Sequence, residues 1–367
     1  MLEVADVLRR YGGDYLDRFD DAVPQRHRYA IRDLIDCRTR VLGGHMYACD
    51  RCGQRHFSYH SCRNRHCPKC HGHNVEAWID ARRAELLPVP YFHLVFTLPQ
   101  ELRRIVRAQP RPLYGILMKA AAKALMKLAA DPRYVGGQLG ILAVLHTWTR
   151  TLAYHPHVHC LVPAGGLSPD RGWVPARPDY LVPVQALSKL FRGVFVDLAR
   201  RACPDITLPE SIWSQPWIVY AKPAVQGTDR VLAYLGRYVH RVAIANSRIL
   251  SINDGRVVFR YQRVGETQWK SITLPAHEFI RRFLQHVLPA GVHKVRYYGL
   301  WAPSNRQRLQ AIQGELAQTE PTPSGETLES VQETRKRPPL EGQPCPHCHQ
   351  GVLVSMGTIP RAQRAPP

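Results

Sequence analysis

The segment His155-Pro156-His157-Val158-His159 sets three imidazoles at alternate positions, between the apolar runs Ile141 to Leu145 and Cys160 to Val162. Alternate side chains on a strand share a face, so His155, His157 and His159 lie on one side, within reach of a single ion. Neutral imidazole is a common ligand for transition metals, and a metal gives three rings in an apolar setting a task. Strict alternation favours His157 and His159 as the pair, because His155 precedes Pro156, which restricts the backbone there. A second constellation, Tyr234 and Tyr238, lies four residues apart in Ala233 to Arg241 and stacks two phenols on one helical face beside Arg237, His240 and Arg241. A phenol with a pKa near 10 is ionised in only about one part in a thousand at neutral pH. Nearby cations and a metal are what would make it a nucleophile. A metal that polarises a scissile phosphate, attacked by tyrosine, leaves a covalent phosphotyrosine.

A third group carries metal chemistry of a different kind. Cys49-x2-Cys52 and Cys67-x2-Cys70 are separated by 14 residues, a spacing that predicts two tight turns aiming four thiolates at one closed, tetrahedral zinc site. The surrounding segment is poor in apolar residues, so the metal supplies its stability. Cys62, His66 and His71 are placed to replace a ligand or to hold a second ion. Arg63, Arg65 and Lys69 make the knuckle cationic and suit it to DNA recognition through phosphates. Cys345-x2-Cys348, with His347 and His349, is half of such a site.

These residues must be positioned by regular elements. Apolar periodicity predicts helices across residues 1–42, then the Cys/His-rich block at 43–74, and a strand at Tyr91 to Leu98. A helix at about Arg111 to Ala130 precedes a strand at Ile141 to Thr149 that leads into the histidine strand, which ends at Gly165 and Gly166. Further helices are expected at Val184 to Ala202, Asp229 to Val242 and His277 to Val287, with a short strand at Trp217 to Tyr220. A hairpin is expected around Asn253-Asp254-Gly255. From about Gly314 the composition is that of a disordered linker.

Composition narrows the partners. The 367-residue chain has 45% hydrophobic residues and a formal charge of +21. Residues 315–367 hold five basic residues against six glutamates, so the excess of positive charge sits on residues 1–314. Such an excess is the footprint of a protein that neutralises phosphates. No run approaches the length of a membrane span, and Glu3 and Asp6 stand where a signal peptide is basic and then apolar. The chain is therefore expected in the cytoplasm, with the nucleoid, and its ten cysteines as metal ligands or packed thiols. No G-x4-G-K-[ST] loop marks a nucleotide site.

Taken in order, Tyr91 to Pro99, Leu145-His146-Thr147-Trp148, His155 to Pro163, Tyr234 to Arg241 and Tyr297-Tyr298-Gly299 resemble the motifs of rolling-circle insertion-sequence transposases of the HUH class. The likeness is to the two-tyrosine, IS ninety-one-like family. Arg63-Asn64-Arg65-His66-Cys67-Pro68-Lys69-Cys70 resembles that family's zinc-binding domain, and the likeness covers about residues 1–310. It implies an α+β fold, with a central antiparallel HUH endonuclease-type sheet flanked by helices and preceded by a small helical, zinc-binding domain. In that sheet the first strand and the histidine strand are neighbours. It implies a zinc-binding DNA-recognition domain at 1–85 with Cys49, Cys52, Cys67 and Cys70 as zinc ligands. A catalytic domain at 86–312 and a linker with a Cys-Pro-His-Cys tail at 313–367 complete the expected plan.

In the implied reaction His157 and His159 hold a catalytic Mg2+ or Mn2+, and Tyr234 and Tyr238 attack single-stranded DNA at the element's ends and in the target. Arg63, Arg65, Lys69, Arg237 and Arg241 are the expected DNA contacts. His146 and His155 are the candidates for a third metal ligand, since no Glu or Gln occupies that region and Arg150 stands where an acceptor is wanted. Because a phosphotyrosine conserves the energy of the broken phosphodiester, rejoining needs no nucleotide cofactor. Two alternatives remain: a rolling-circle replication initiator of the same chemistry, and a non-catalytic zinc-dependent DNA-binding regulator. No pattern among the acidic residues marks a carboxylate-triad transposase.

Overall fold

The computed structural model describes residues 1–70, 75–223, 231, 236, 239, 242–263, 265–319 and 340–364. Its helices are α1 (Val4–Phe19), α2 (Gln25–Asp36), α3 (Val75–Arg83), α4 (Arg103–Ala108), α5 (Pro110–Ala129), α6 (Val184–Ala202), α7 (Ser211–Ser214), α8 (Ala276–Leu284) and α9 (Arg306–Thr319). The strands of the first half are β1 (Gly44–Cys49), β2 (Arg55–Tyr59), β3 (Tyr91–Thr97), β4 (Gly140–Trp148), β5 (Tyr154–Pro163), β6 (Gly165–Ser168) and β7 (Gly172–Pro175). They are followed by β8 (Val219–Pro223), β9 (Ile249–Asn253), β10 (Arg256–Gln262), β11 (Trp269–Pro275), β12 (Val295–Gly299) and β13 (Leu353–Ile359).

The chain divides into two compact units, each built from separated stretches. Unit 2, Trp78–Arg241 with Leu288–Gly325, is organised on an antiparallel five-stranded sheet of order β12-β4-β5-β3-β8. The first strand and the histidine strand are thus neighbours, as the resemblance implies. One face of the sheet carries Leu94, Phe96, Ile141, Ala143, Leu145, Val158 and Cys160, buried with Leu117 and Leu125 of α5 and Phe191 and Phe195 of α6. Pro110 opens α5 at its first turn, where a missing N–H costs nothing. On the opposite face Leu142, Val144 and Leu161 are buried with Val231, Val239, Leu309 and Ile312, and Trp78 and Ile79 of α3 pack against them. Alternation places His146, His157 and His159 on this second face, one step along β4 and β5 from that cluster.

Unit 1 joins Met1–Ala77, Val242–Val287 and Glu326–Pro367. A capping box between Glu3 and Asp6 starts α1, whose Val4, Val7, Leu8 and Tyr15 form a buried stripe. α2 buries Ala30, Ile31 and Leu34, and Ile31 lies against Gly12 of α1. Two antiparallel sheets complete the unit, with orders β13-β1-β2 and β11-β10-β9. The β9–β10 turn has Asp254 at φ 48° and Gly255 at φ 69°, the left-handed pair that an Asp-Gly hairpin uses.

This partition differs from the consecutive plan of 1–85, 86–312 and 313–367. Residues 242–287 leave the expected catalytic block to pack with α1, where Tyr15 meets His277 edge-on at 6.0 Å. The expected linker begins later than its composition suggests, because α9 continues to Thr319. Residues 320–339 lie outside the described residues, and the Cys-Pro-His-Cys tail leads into β13. Among the described residues, no helix is long and apolar enough to cross a membrane.

Candidate functional site

Three imidazoles converge on the second face of the five-stranded sheet. Register pairs His146 with His157 and Val144 with His159, so β4 contributes one ring and β5 two. Ring centroids are 5.5 Å apart for His146–His157, 4.6 Å for His146–His159 and 4.9 Å for His157–His159. One nitrogen from each ring lies within 4.8 Å of the others, a spacing that three ligands of one divalent ion adopt. His155 takes a different part. Its Nδ1 accepts a 2.8 Å hydrogen bond from the Arg103 guanidinium, and burial together with that cation holds its pKa below the ordinary histidine value. Of the two candidates for a third ligand, His146 joins the pair and His155 does not.

Hydrogen bonds at the far ring nitrogens fix how the pair presents itself. The Nδ1 of His157 lies 2.7 Å from the backbone oxygen of His155, an acceptor only, so Nδ1 carries the proton and Nε2 keeps its lone pair. The Nδ1 of His159 lies 2.9 Å from Nε2 of His93, across the β3–β5 pairing. Burial, aided by Lys222, lowers the His93 pKa to about 4. A neutral His93 can accept the His159 Nδ1 proton, which places the lone pair of His159 on Nε2, the arrangement in which a second residue orients a ligand. The third ring, His146, is 3% exposed and stacks on Trp148 at 4.7 Å. Lys294 lies 5.1 Å from the centre of that indole and donates to the carbonyl of Val239. Sequence reasoning missed His93. Its signal is available, because His93, Val95 and Thr97 alternate on the strand expected to neighbour the histidine strand.

Tyr234, Tyr238, Arg237 and Arg241 lie outside the described residues. Val231 and Val239, which bracket both tyrosines in sequence, are buried in the cluster on the histidine face.

Eight of the ten cysteines form two clusters. The expected grouping of Cys49, Cys52, Cys67 and Cys70 around one ion is corrected by the geometry: Cys67 and Cys70 meet Cys37 and Cys62, whereas Cys49 and Cys52 meet Cys345 and Cys348. The reason is the β1–β2 hairpin. Cys49-x2-Cys52 occupies its turn, and Cys62 to Cys70 follow its open end, where Gly44 pairs with Tyr59. At about 3.3 Å per residue, the intervening strand separates the two knuckles by roughly 15–20 Å.

In the first centre Cys37 caps the C-terminus of α2. Its Sγ lies 3.4 Å from that of Cys70 and 3.5 Å from that of Cys67, and Cys62 lies 3.5 Å from Cys70. Asn64 N donates to Cys62 Sγ and its side chain donates to Asp33 on α2. Arg63 takes φ 56° to turn the knuckle. Hydrogen bonds chiefly from Cys62 and Cys67 bring the Cys37 thiol down to about 7, and those from Cys37, Cys62 and Cys67 pull Cys70 far below the usual thiol range. Four thiols that share protons this way are ready to exchange them for a zinc ion. Of the expected DNA-contacting cations, Arg63 and Arg65 are exposed. Lys69 is instead bound to Glu3 at 2.7 Å.

Both features fall within stretches that match known families. Residues 140–308, which include the three histidines, match a family described as "Putative transposase". Residues 7–98, which include all four cysteines of the first centre, match one described as "Transposase zinc-binding domain". The class so defined is a transposase with a structural zinc domain at its N-terminal side. A protein of Sinorhizobium fredii named "Putative transposase y4qJ" is 41% identical, over 96% of this chain and 94% of its own length. The "Transposase for insertion sequence element IS801" of Pseudomonas savastanoi pv. phaseolicola is 29% identical, over 74% of this chain and 69% of its own length. No solved structure matches. The chain belongs to the IS91 family of insertion-sequence transposases.

Proposed function

We propose that this transposase cuts and rejoins single-stranded DNA at the ends of its element through a 5′-phosphotyrosine. The observation that carries the reading is the convergence of His146, His157 and His159 on one face of the sheet. The donor set fits a divalent ion, Mn2+ or Mg2+, whose task is to polarise the scissile phosphate. His157 and His159 present their Nε2 atoms, held by the His155 carbonyl and by His93, and His146 completes the face.

Tyr234 or Tyr238 supplies the nucleophile. Its phenolic oxygen forms a bond to phosphorus, the bond from phosphorus to the 3′ oxygen breaks, the phenol proton leaves to solvent, and the 3′ end departs as a hydroxyl after taking up a proton. Rejoining runs the same exchange in reverse with another 3′ hydroxyl, so no nucleotide is consumed. Two tyrosines let one hold a strand while the other cuts again. Support for their placement comes from Val231 and Val239, buried on the histidine face. Arg63, Arg65, Arg237 and Arg241 are assigned to phosphate contacts, and unit 1 to recognition of the element's end.

A single-stranded oligonucleotide carrying the element's end, incubated with protein and Mn2+, should yield a covalent adduct on a denaturing gel. The adduct should vanish in the Tyr234→Phe/Tyr238→Phe double variant, and each single variant reports which tyrosine attacks first. An adduct that persists in the double variant overturns the assignment of the nucleophile.

A further inference from the structure

Cys49, Cys52, Cys345 and Cys348 form a cluster whose second half lies far beyond the stretch that matches the zinc-binding domain. We propose that these four thiolates hold a second structural zinc ion, which staples the segment 340–359 onto the N-terminal sheet. The proposal stands independently of the transposition chemistry.

The local geometry is that of two facing knuckles. The Sγ atoms of Cys49 and Cys348 are 3.6 Å apart and those of Cys52 and Cys345 are 3.8 Å apart. Each knuckle points backbone amides at its first sulfur: Arg51 N and Cys52 N lie 3.4 and 3.5 Å from Cys49 Sγ, and His347 N lies 3.4 Å from Cys345 Sγ. Such N–H groups stabilise sulfur as a thiolate, the form a metal needs. Nε2 of His56 is 3.7 Å from Cys345 Sγ and adds a ring nitrogen to the same sulfur. Binding exchanges four thiol protons, released to solvent, for one Zn2+.

The approach of the two knuckles depends on Gly351. A Cβ there would lie 2.6 Å from Cys49 Sγ and would also strike Asp50 Oδ1. In its absence Asp50 N donates to Val352 O and Val352 N donates to Asp50 Oδ1. β13 then runs antiparallel along the whole of β1, from Cys49↔Leu353 to Gly44↔Ile359. The chain beyond it is held as well, by Arg364 paired with Asp36 at 2.9 Å on α2. A core of Tyr47, Cys49, Cys345 and Leu353 is too small to hold this sheet by burial alone. Loop closure costs only a logarithm of loop length, so one ion can join segments this distant in sequence.

The test uses the full chain produced with zinc. Titration with an organomercurial, which frees only thiolate-bound metal, should release two zinc equivalents per chain. The Cys345→Ser/Cys348→Ser double variant should release one, as should Gly351→Ala. In the unaltered protein, alkylation read by mass spectrometry should find Cys49, Cys52, Cys345 and Cys348 protected together and exposed together on chelation. Release of a single equivalent from the unaltered chain, free alkylation of Cys345 and Cys348 in the zinc-loaded protein, or a disulfide linking the two pairs would each overturn the proposal.

Discussion

His93 is a residue outside the three-histidine face that is placed to orient one of its rings. It reaches the three-histidine face through the 2.9 Å contact with His159 Nδ1, and its value lies in staying neutral inside the sheet. Replacing it with Leu removes the acceptor that sets the His159 tautomer. Loss of such an orienting partner typically weakens metal binding about 10–100-fold. We expect His93→Leu to bind Mn2+ weaker by that factor in an electron paramagnetic resonance titration. His93→Gln, whose side-chain oxygen still accepts, should recover most of the affinity. Unchanged binding by the Leu variant would remove His93 from the site. Alternation alone places His157 and His159 on one face of the histidine strand in the sequence. His146 and His93 enter from neighbouring strands, and only the register of β4 and β3 against β5 reveals them.

At the scale of elements, local signals read well and long-range pairings do not. The alternation of β5, the apolar periodicity of α5 and α6, and the Asp254-Gly255 turn are each encoded within a few residues. The partner of β1 is not. Paired Cys-x2-Cys motifs favour a local ligand set, yet the hairpin they flank holds them apart, and the ligands come from the end of α2 and from the segment before β13.

The migration of β9–β11 and α8 into unit 1 is equally invisible to composition. In α8, Glu278 binds Arg281 at 2.6 Å and Arg282 at 2.7 Å, and these hydrogen bonds, Arg281 first, lower its pKa to about 2. Its carboxylate therefore stabilises the folded state fully above the unfolded value of 4.5 and progressively loses that contribution as pH falls toward 2. The pairs are partly exposed, which limits the effect to about 0.5–1 kcal/mol. In urea unfolding, Glu278→Gln should trail the parent by that amount from pH 8 to 5, and the gap should close below 4.5. A gap that widens on acidification would refute this account.

For the whole molecule, the two units draw stability from different sources. Unit 2 buries its sheet between α5 and α6 on one face and α3 and α9 on the other, while the cysteine-bearing part of unit 1 has little core. Removing zinc should therefore act on one unit. Hydrogen exchange after treatment with a strong chelator is expected to show loss of protection in β1, β2 and β13, with β4 and β5 unchanged. Equal loss in both units would mean that they do not draw stability separately, and unchanged protection in β1, β2 and β13 that the cysteine centres are incidental to it. The excess of positive charge on residues 1–314 is shared by both units, consistent with a molecule that meets its polyanionic substrate along more than one surface.

The strand order β13-β1-β2 also has a consequence for biosynthesis. β1 leaves the ribosome about 300 residues before β13, an interval of roughly 15–60 s at 5–20 residues per second. During that time β1 has one unsatisfied edge, open to pairing with another chain. Nascent chains that stall or shift frame in between never gain the covering strand. Prematurely terminated products, which lack this strand, should therefore be the ones that aggregate or are degraded.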